Sequence, residues 1–246
     1  IFTIIGARPQ FIKAAAVSRQ ILNAPQLHEE LVHTGQHYDS KMSGSFFEQL
    51  AIPEPHANLE CGGGTQAEQT ANIMVRFEKE LLTHPADLVL VVGDVTSTMA
   101  CSITAKKLQT RVAHVEAGIR SGDLAMPEEI NRLVTDALAD YFFTTTEAAG
   151  DNLRRAGVPD ERIHWVGNTM IDTLLQNLDR LKDPEIKAGG KSLEPGSYFV
   201  LTMHRPRNVD QQTKLSTFMA AILEGSGEDP VVFPVHPRTA KTLEDL

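Results

Sequence analysis

The sequence predicts an α/β protein built on a doubly wound parallel sheet, and three observations carry that expectation. Short apolar runs alternate with helical patterns from the first residue. The runs are apolar nearly throughout rather than at every second position, and several end in Gly or a small polar residue. Continuous hydrophobicity means that both faces of each strand are covered, as in a parallel sheet between two helix layers. The alternating rhythm itself is that of β–α–β crossover units.

Taken in order, "IFTIIG" (1–6) is the first strand and 9–23 the first helix. Pro9 suits the first helical position, where no N–H is needed. "ELVHTG" (30–35) is the second strand, followed by a helix over 66–83. Then come "DLVLVVGD" (87–94), a helix over 97–108, "RVAHVEAG" (111–118), a helix over 128–139, "DYFFTTT" (140–146), a helix over 147–156 and "RIHWVGN" (162–168). These make a Rossmann-like domain over 1–168.

Residues 169–246 hold a connecting helix, "TMIDTLLQNLDRLKD", and a polar linker, "PEIKAGGKSLEPGS" (184–197). The rhythm then restarts with a strand at 198–204, a helix at about 211–225, a strand at 231–236 and the start of another helix. Two strands bury too little for a stable core, since even a 60-residue domain hides only about 60% of its surface. The chain is therefore expected to stop inside a second α/β domain.

Composition narrows the function. The 246 residues are 41% hydrophobic and 22% charged, as in an ordinary soluble globular protein. A formal net charge of −9 argues against nucleic acid or an anionic membrane surface as partner, while leaving room for a local basic pocket. No apolar stretch approaches the ~20 residues of a membrane span, and no secretory leader is read at the start. Cys61 and Cys101 have no metal-like spacing and read as two reduced thiols in a cytoplasmic protein. Neither HExxH nor a Cys/His cluster is present, so no metal and no cofactor are expected. The absence of GxSxG removes the α/β-hydrolase reading.

Ligands bind at the carboxyl ends of the strands in open α/β sheets, and the ionisable residues gather there. "GARPQFIK" places Arg8 at a helix N-terminus, where backbone N–H groups already favour an anion, with Lys13 further along the helix. The pair fits a phosphate grip; a solvated arginine on a surface helix is the plain alternative. The motif is neither GxGxxG nor the Walker pattern. In "GDVTST", Asp94 follows an apolar strand and is either a helix N-cap or a site carboxylate. Glu116 in "VEAGIR" is a poor cap and an awkward occupant of a buried strand end. "MPEEINR" sets Glu128 and Glu129 in the first turn of a helix, a favourable dipole arrangement that suits Glu129 to a structural role. Arg132, one turn on, is placed to pair with Glu128. His204 with Arg205, and His236 with Arg238, repeat one theme: a strand ending in His closely followed by Arg.

In order and spacing, "GARPQFIK", "TGQHYD", "GDVTST", "HVEAGIRSGDLAMPEEINR", "VGNTMIDTL", "LTMHRPRN" and "PVHPRT" resemble the UDP-N-acetylglucosamine 2-epimerases of the non-hydrolysing bacterial type. The resemblance runs along essentially the whole chain. It implies two Rossmann-like domains in the GT-B architecture, with a UDP-sugar in the cleft and inversion at carbon 2 of UDP-GlcNAc to give UDP-ManNAc. The implied route is anti elimination of UDP to a glycal, then proton return to the opposite face and re-addition of UDP. It further implies catalytic roles for Asp94, Glu116, Glu128 and His204, and substrate contacts from Arg8, Lys13, His236 and Arg205. A cytoplasmic homodimer supplying surface-polysaccharide synthesis is the expected setting. Removing a proton on one face of the sugar and returning it on the other requires proton carriers on both sides. UDP leaving as an anion requires cations at the phosphates. Pro206 and Arg207 stand where commoner family sequences carry Arg and Glu. The "GDLAMPEE" stretch is short enough to leave room for a modified sugar such as a diacetamido uronic acid. The family's later Ser-Gly-Gly turn and paired glutamates, which hold uridine and ribose, do not occur in these residues. A hydrolysing 2-epimerase, a GT-B glycosyltransferase and a non-catalytic nucleotide-sugar-binding module are the competing readings.

Overall fold

The structure, a computed structural model, describes residues 1–35, 47–182, 184–188, 190–203 and 205–244. It divides into two compact units, Ile1–Arg180 and Leu181–Leu246.

The first unit is laid on seven strands: β1 (Phe2–Ile5), β2 (Glu30–His33), β3 (Ala57–Asn58), β4 (Leu88–Val92), β5 (Arg111–Val115), β6 (Tyr141–Thr144) and β7 (Ile163–Trp165). They lie in the order β3-β2-β1-β4-β5-β6-β7, every pair parallel. The helices are α1 (Arg8–Leu22), α2 (Gln66–Thr83), α3 (Thr96–Lys107), α4 (Pro127–Leu138), α5 (Glu147–Arg155) and α6 (Thr169–Gln176). Strand order reverses between β1 and β4, and that reversal opens a crevice at their carboxyl ends.

The unbroken apolar runs are explained by β4. Val89 and Val91 enter a core with Phe2, Ile4, Val32, Ile73 and Phe77. Leu90 and Val92 pack with Ala113 and Val115 on the other face. Successive side chains therefore need the same chemistry although they point opposite ways. The start of α2 is set by a reciprocal cap. Thr65 Oγ1 accepts from Glu68 N (3.2 Å) and Glu68 Oε2 accepts from Thr65 N (2.8 Å). Cys61 and Cys101 are buried free thiols, and burial pushes both thiols up, Cys101 well up.

Three features differ from the expectation. The edge strand β3 had no apolar run to mark it; two residues suffice because Leu59 N donates to His33 O (2.7 Å) and His56 N to Leu31 O (2.8 Å). The first unit continues past 168 to Arg180. Helix α6 docks on α1, with the buried Thr173 donating from Oγ1 to Ile12 O (2.7 Å), and Arg180 reaches Gln49 O. The stretch read as a linker contains a hairpin, β8 (Lys187–Ala188) with β9 (Lys191–Ser192).

In the second unit β10 (Phe199–Val200) and β11 (Val231–Val232) pair in parallel. Around them lie α7 (Pro206–Val209), α8 (Gln212–Ser226) and α9 (Pro237–Glu244). Val209 and Leu215 are buried, while Phe199 and Val200 are exposed. Both strands are shorter than their apolar runs.

Candidate active site

The crevice is built by the chain leaving β1, β4 and β5. At the end of β1 the residue must be glycine, because a Cβ on Gly6 would collide with Thr34 Oγ1. The chain then enters α1 directly. Arg8 opens the helix and is exposed; Pro9 takes the second position rather than the expected first. Gln10 is fully buried and ties the ends of two strands together. Its Oε1 accepts from Ala7 N (3.1 Å), and its Nε2 donates to Val92 O (2.9 Å).

Lys13 lies one and a half turns along α1, buried, with its ammonium on Glu116 Oε2. The lysine is that oxygen's neutralising partner. Glu116 follows β5 in the left-handed region, at φ +72°. A side chain there costs about 1–2 kcal/mol. The conformation is held by Glu116 N and Ala117 N, which both donate to Phe143 O (3.0 and 3.1 Å). Gly93, at φ +71°, leaves the space that the ion pair fills: a Cβ on it would stand 3.2 Å from Lys13 Nζ.

Asp94 follows, with Arg132 of α4 on its Oδ2 and its backbone carbonyl accepting from Asn131 Nδ2 (2.8 Å). Helix α3 is headed by Val95 with no side-chain cap. The helix-cap alternative for Asp94 is thereby removed. The expected Arg132–Glu128 pair is also replaced, since Arg132 bridges Asp94 and Glu129 (Nη1 to Oε2, 3.1 Å). Burial opposes charge on the guanidinium, but those two carboxylates more than offset it and raise its pKa.

Glu129 is buried and structural. It accepts from Ser121 N (2.9 Å), Ser121 Oγ (3.1 Å) and Gly122 N (3.2 Å), folding the "RSGD" loop onto α4. Burial raises its pKa, yet those hydrogen bonds and Arg132 together hold it below the usual carboxylate range. Glu128, its neighbour, is exposed, and among the described residues it makes no ion pair.

Beneath these loops lies a cluster that sequence reasoning missed. His114, in the body of β5, is fully buried. Its Nε2 is 2.8 Å from Gly93 O and its Nδ1 is 2.6 Å from Asp136 Oδ1. Asp136 Oδ2 accepts from Gly118 N (3.1 Å) and Arg120 Nη1 (2.6 Å). Burial pushes the Asp136 carboxyl up, but His114 and Arg120 outweigh it and hold the group ionised. Both neighbours of the imidazole are acceptors, a backbone carbonyl on one side and a carboxylate on the other, so the ring is held from both sides. One histidine thus fixes the loop leading to Asp94 and, through Asp136, the turn that follows Glu116.

The family model described as UDP-N-acetylglucosamine 2-epimerase matches residues 19–246. The chain belongs to that family. It is 43% identical over 245 residues to a UDP-N-acetylglucosamine 2-epimerase homolog of Methanococcus maripaludis, covering 99% of this chain and 67% of that protein. It is 42% identical to the UDP-2,3-diacetamido-2,3-dideoxy-D-glucuronate 2-epimerase of Pseudomonas aeruginosa, covering 100% of this chain and 69% of the other. The crystal structure of Methanocaldococcus jannaschii UDP-GlcNAc 2-epimerase in complex with UDP-GlcNAc and UDP superposes with a TM-score of 0.84 at 39% identity. That match covers 99% of this chain and 68% of that one. The chain thus spans about two thirds of the length of these relatives. The fold is that of the 2-epimerases, which share the GT-B architecture implied by the sequence motifs.

Of the eight site residues drawn from the epimerase motifs, the first unit brings Arg8, Lys13, Asp94, Glu116 and Glu128 to the carboxyl end of its sheet or to the start of the helices there. In the second unit Arg205 and His236 are exposed. His236 heads α9, its carbonyl accepting from Thr239 N (2.8 Å) and Ala240 N (2.9 Å). His204 lies outside the described residues, as does most of the "TGQHYD" motif. The overlooked groups are Gln10, His114, Arg120, Asn131 and Asp136. The one signal for them was His114 itself, a polar residue inside an apolar strand whose neighbours on both faces are covered.

Proposed function

We propose that this chain supplies the acid–base half of a UDP-sugar 2-epimerase site, in which the crevice at the end of β1, β4 and β5 receives the diphosphate and the sugar. The observation that carries this is the pair of carboxylates following adjacent strands, Asp94 after β4 and Glu116 after β5, each matched to its own cation. Neither is spent on a helix cap, and the backbone at Glu116 is strained to present it. A third carboxylate, Glu128, stands exposed on the opening turn of α4. Backbone strain kept at a charged residue points to use rather than stability.

The reaction asks for what these groups offer. Loss of the C2 proton to a carboxylate sends its bonding electrons into a C1–C2 double bond, and the C1–oxygen bond to UDP breaks. A proton delivered from the opposite face, with UDP oxygen returning to C1, completes the inversion. Carboxylates on different loops can stand on the two faces where a single residue cannot. Arg8, at the N-terminus of α1, and Lys13 stabilise the negative charge gathering on the leaving diphosphate. Lys13 also pairs with Glu116 and holds its carboxylate in the crevice.

The substrate is a 2-acetamido UDP-sugar. A relative named UDP-N-acetylglucosamine 2-epimerase is 41% identical to this chain and one named for UDP-diacetamido-glucuronate is 42% identical, so both substrates are to be tried. The protein at its full natural length, incubated with each in deuterated water, is expected to return UDP-sugar carrying deuterium at C2 in both epimers. Free sugar with released UDP would instead indicate a hydrolysing enzyme, and no exchange with either would indicate a transferase or a binder. A homodimer and a cytoplasmic location remain part of this proposal. Exposed Val75 and Leu82 on α2, with Ile130 and Leu133 on α4, support the dimer by leaving apolar surface to cover. Light scattering tests it. Among the described residues no helix is long and apolar enough to cross a membrane.

A further inference from the structure

At the opposite end of the sheet, where the strands begin, His56, Glu80 and His84 converge, with donor atoms all within 4.8 Å of one another. Glu80 Oε1 is the hub, 3.3 Å from His56 Nε2 and 2.8 Å from His84 Nδ1. The three come from different places: His56 immediately precedes β3, Glu80 lies in the last turn of α2, and His84 caps that helix. We propose that these three side chains bind a divalent transition-metal ion of the zinc class, as a site separate from the sugar-nucleotide crevice.

Four features of the molecule support it. Two imidazoles and one carboxylate are a donor set that zinc accepts, with a fourth position left to water. The spacing is close to what the ion needs. Donors about 2.1 Å from a tetrahedral ion stand roughly 3.4 Å apart, so small side-chain rotations close the site. The Glu30 carboxylate stands on the other side of the His56 ring, with Oε2 3.9 Å from Nδ1. At that distance it makes no direct hydrogen bond, but it adds negative charge beside the ion. Finally, the ion would sit at the C-terminal end of an 18-residue helix, where the helix dipole favours positive charge. All three ligands remain within reach of solvent, so an ion can enter without unfolding the chain.

The consequence is a staple. An ion held here joins the end of α2 to the start of β3, an edge strand only two residues long. The site has no part in the proton transfers at the far end of the sheet, and its test is independent of them. The intact chain, stripped with a chelator and titrated with Zn²⁺ by calorimetry, is expected to bind one equivalent with micromolar affinity. Co²⁺ in the same position should show the intense visible absorption of four-coordinate cobalt. Replacing both histidines (His56→Ala with His84→Ala) should weaken Zn²⁺ binding by at least about tenfold, and Glu30→Gln by a smaller factor. His164→Ala, on the opposite edge strand, should change nothing. Zn²⁺ should raise the urea midpoint of the wild type and leave that of the double variant where it was. Zinc binding that survives the double substitution would overturn the proposal, and so would a wild-type chain that takes up no Zn²⁺ and leaves the histidines as simple partners of Glu80.

Discussion

The two ends of the seven-stranded sheet carry similar residues in opposite circumstances. Where the strands begin, His28, Glu30, His56, Glu80 and His84 interact in partial contact with water, and His28 is 84% exposed. Where the strands end, Lys13, His114, Glu129 and Asp136 are each less than a tenth exposed. Charges in water interact weakly and adjust freely, whereas buried charges are costly unless every one is matched. At the carboxyl end the matching is done by backbone loops as much as by side chains: Gly93 O, Gly118 N, Ser121 N and Gly122 N all engage the cluster. The difference teaches where precision has been built in. One end tolerates movement; the other holds three loops in place against a strained residue.

That contrast can be broken by substitution, and the largest effect belongs to Asp136. Asp136→Asn leaves Arg120 without its buried counter-charge and His114 without its carboxylate partner, and should cost about 3–5 kcal/mol. A urea titration that shows an unchanged midpoint would remove the buried-cluster account. Next comes His33, buried beside the rings of Phe11 and Phe47 (centroids 5.5 and 6.4 Å away). Burial lowers its pKa from 6.5 to about 4, against a hydrogen bond with Asn58 that acts the other way. Below pH 6.5 the unfolded chain takes up a proton that the folded chain refuses until about pH 4, so stability falls across that window. The integrated loss is about 3 kcal/mol. His33→Gln should flatten the window in a plot of urea midpoint against pH.

Glu129 and Asp136 add a separate acid limb. Their carboxyls are held below the usual range, so the stability they give is complete above about pH 4.5 and is lost as pH falls through their lowered values. Glu129→Gln should therefore reduce stability at neutral pH by about 1–3 kcal/mol, with the difference vanishing in acid. This residue is a poor inert control for the neighbouring Glu128. The smallest effect should come from the other end of the sheet: without added metal, Glu80→Gln should change the unfolding free energy from urea titration by less than about 1 kcal/mol. A loss as large as that of Asp136→Asn would abolish the distinction between the two ends.

Much of this fold is written in the chain at the scale of runs and ends. Six of the seven sheet strands are visible as runs rich in apolar residues, most plainly β1 and β4, whose side chains are covered on both faces. The exception, β3, is held by backbone hydrogen bonds that need no particular side chain. The boundary at Arg180 was hidden for a related reason. The helix Thr169–Gln176 looks like a connector until its docking on α1 is known, and docking is a tertiary fact. At the site, Asp94 and Glu116 are legible because carboxylates are out of place at apolar strand ends. Their cations are not, because Lys13 lies 103 residues from Glu116 along the chain, and Arg132 lies 38 from Asp94. His114 could be noticed in sequence but not interpreted, since its partners Gly93 O and Asp136 become neighbours only in the folded sheet.

The most direct test of the acid–base role is made at Glu128, because it can fail only through chemistry. The residue is exposed and, among the described residues, makes no ion pair, so Glu128→Gln should leave the unfolding free energy within about 0.5 kcal/mol of the wild type. The measurement is deuterium incorporation at C2 of the UDP-sugar by that variant at full natural length, beside the wild type. The result expected is a fall in rate of about 10²–10⁴-fold with stability unchanged. Exchange at the wild-type rate would contradict the assignment of the carboxylates around this crevice to proton transfer at the sugar.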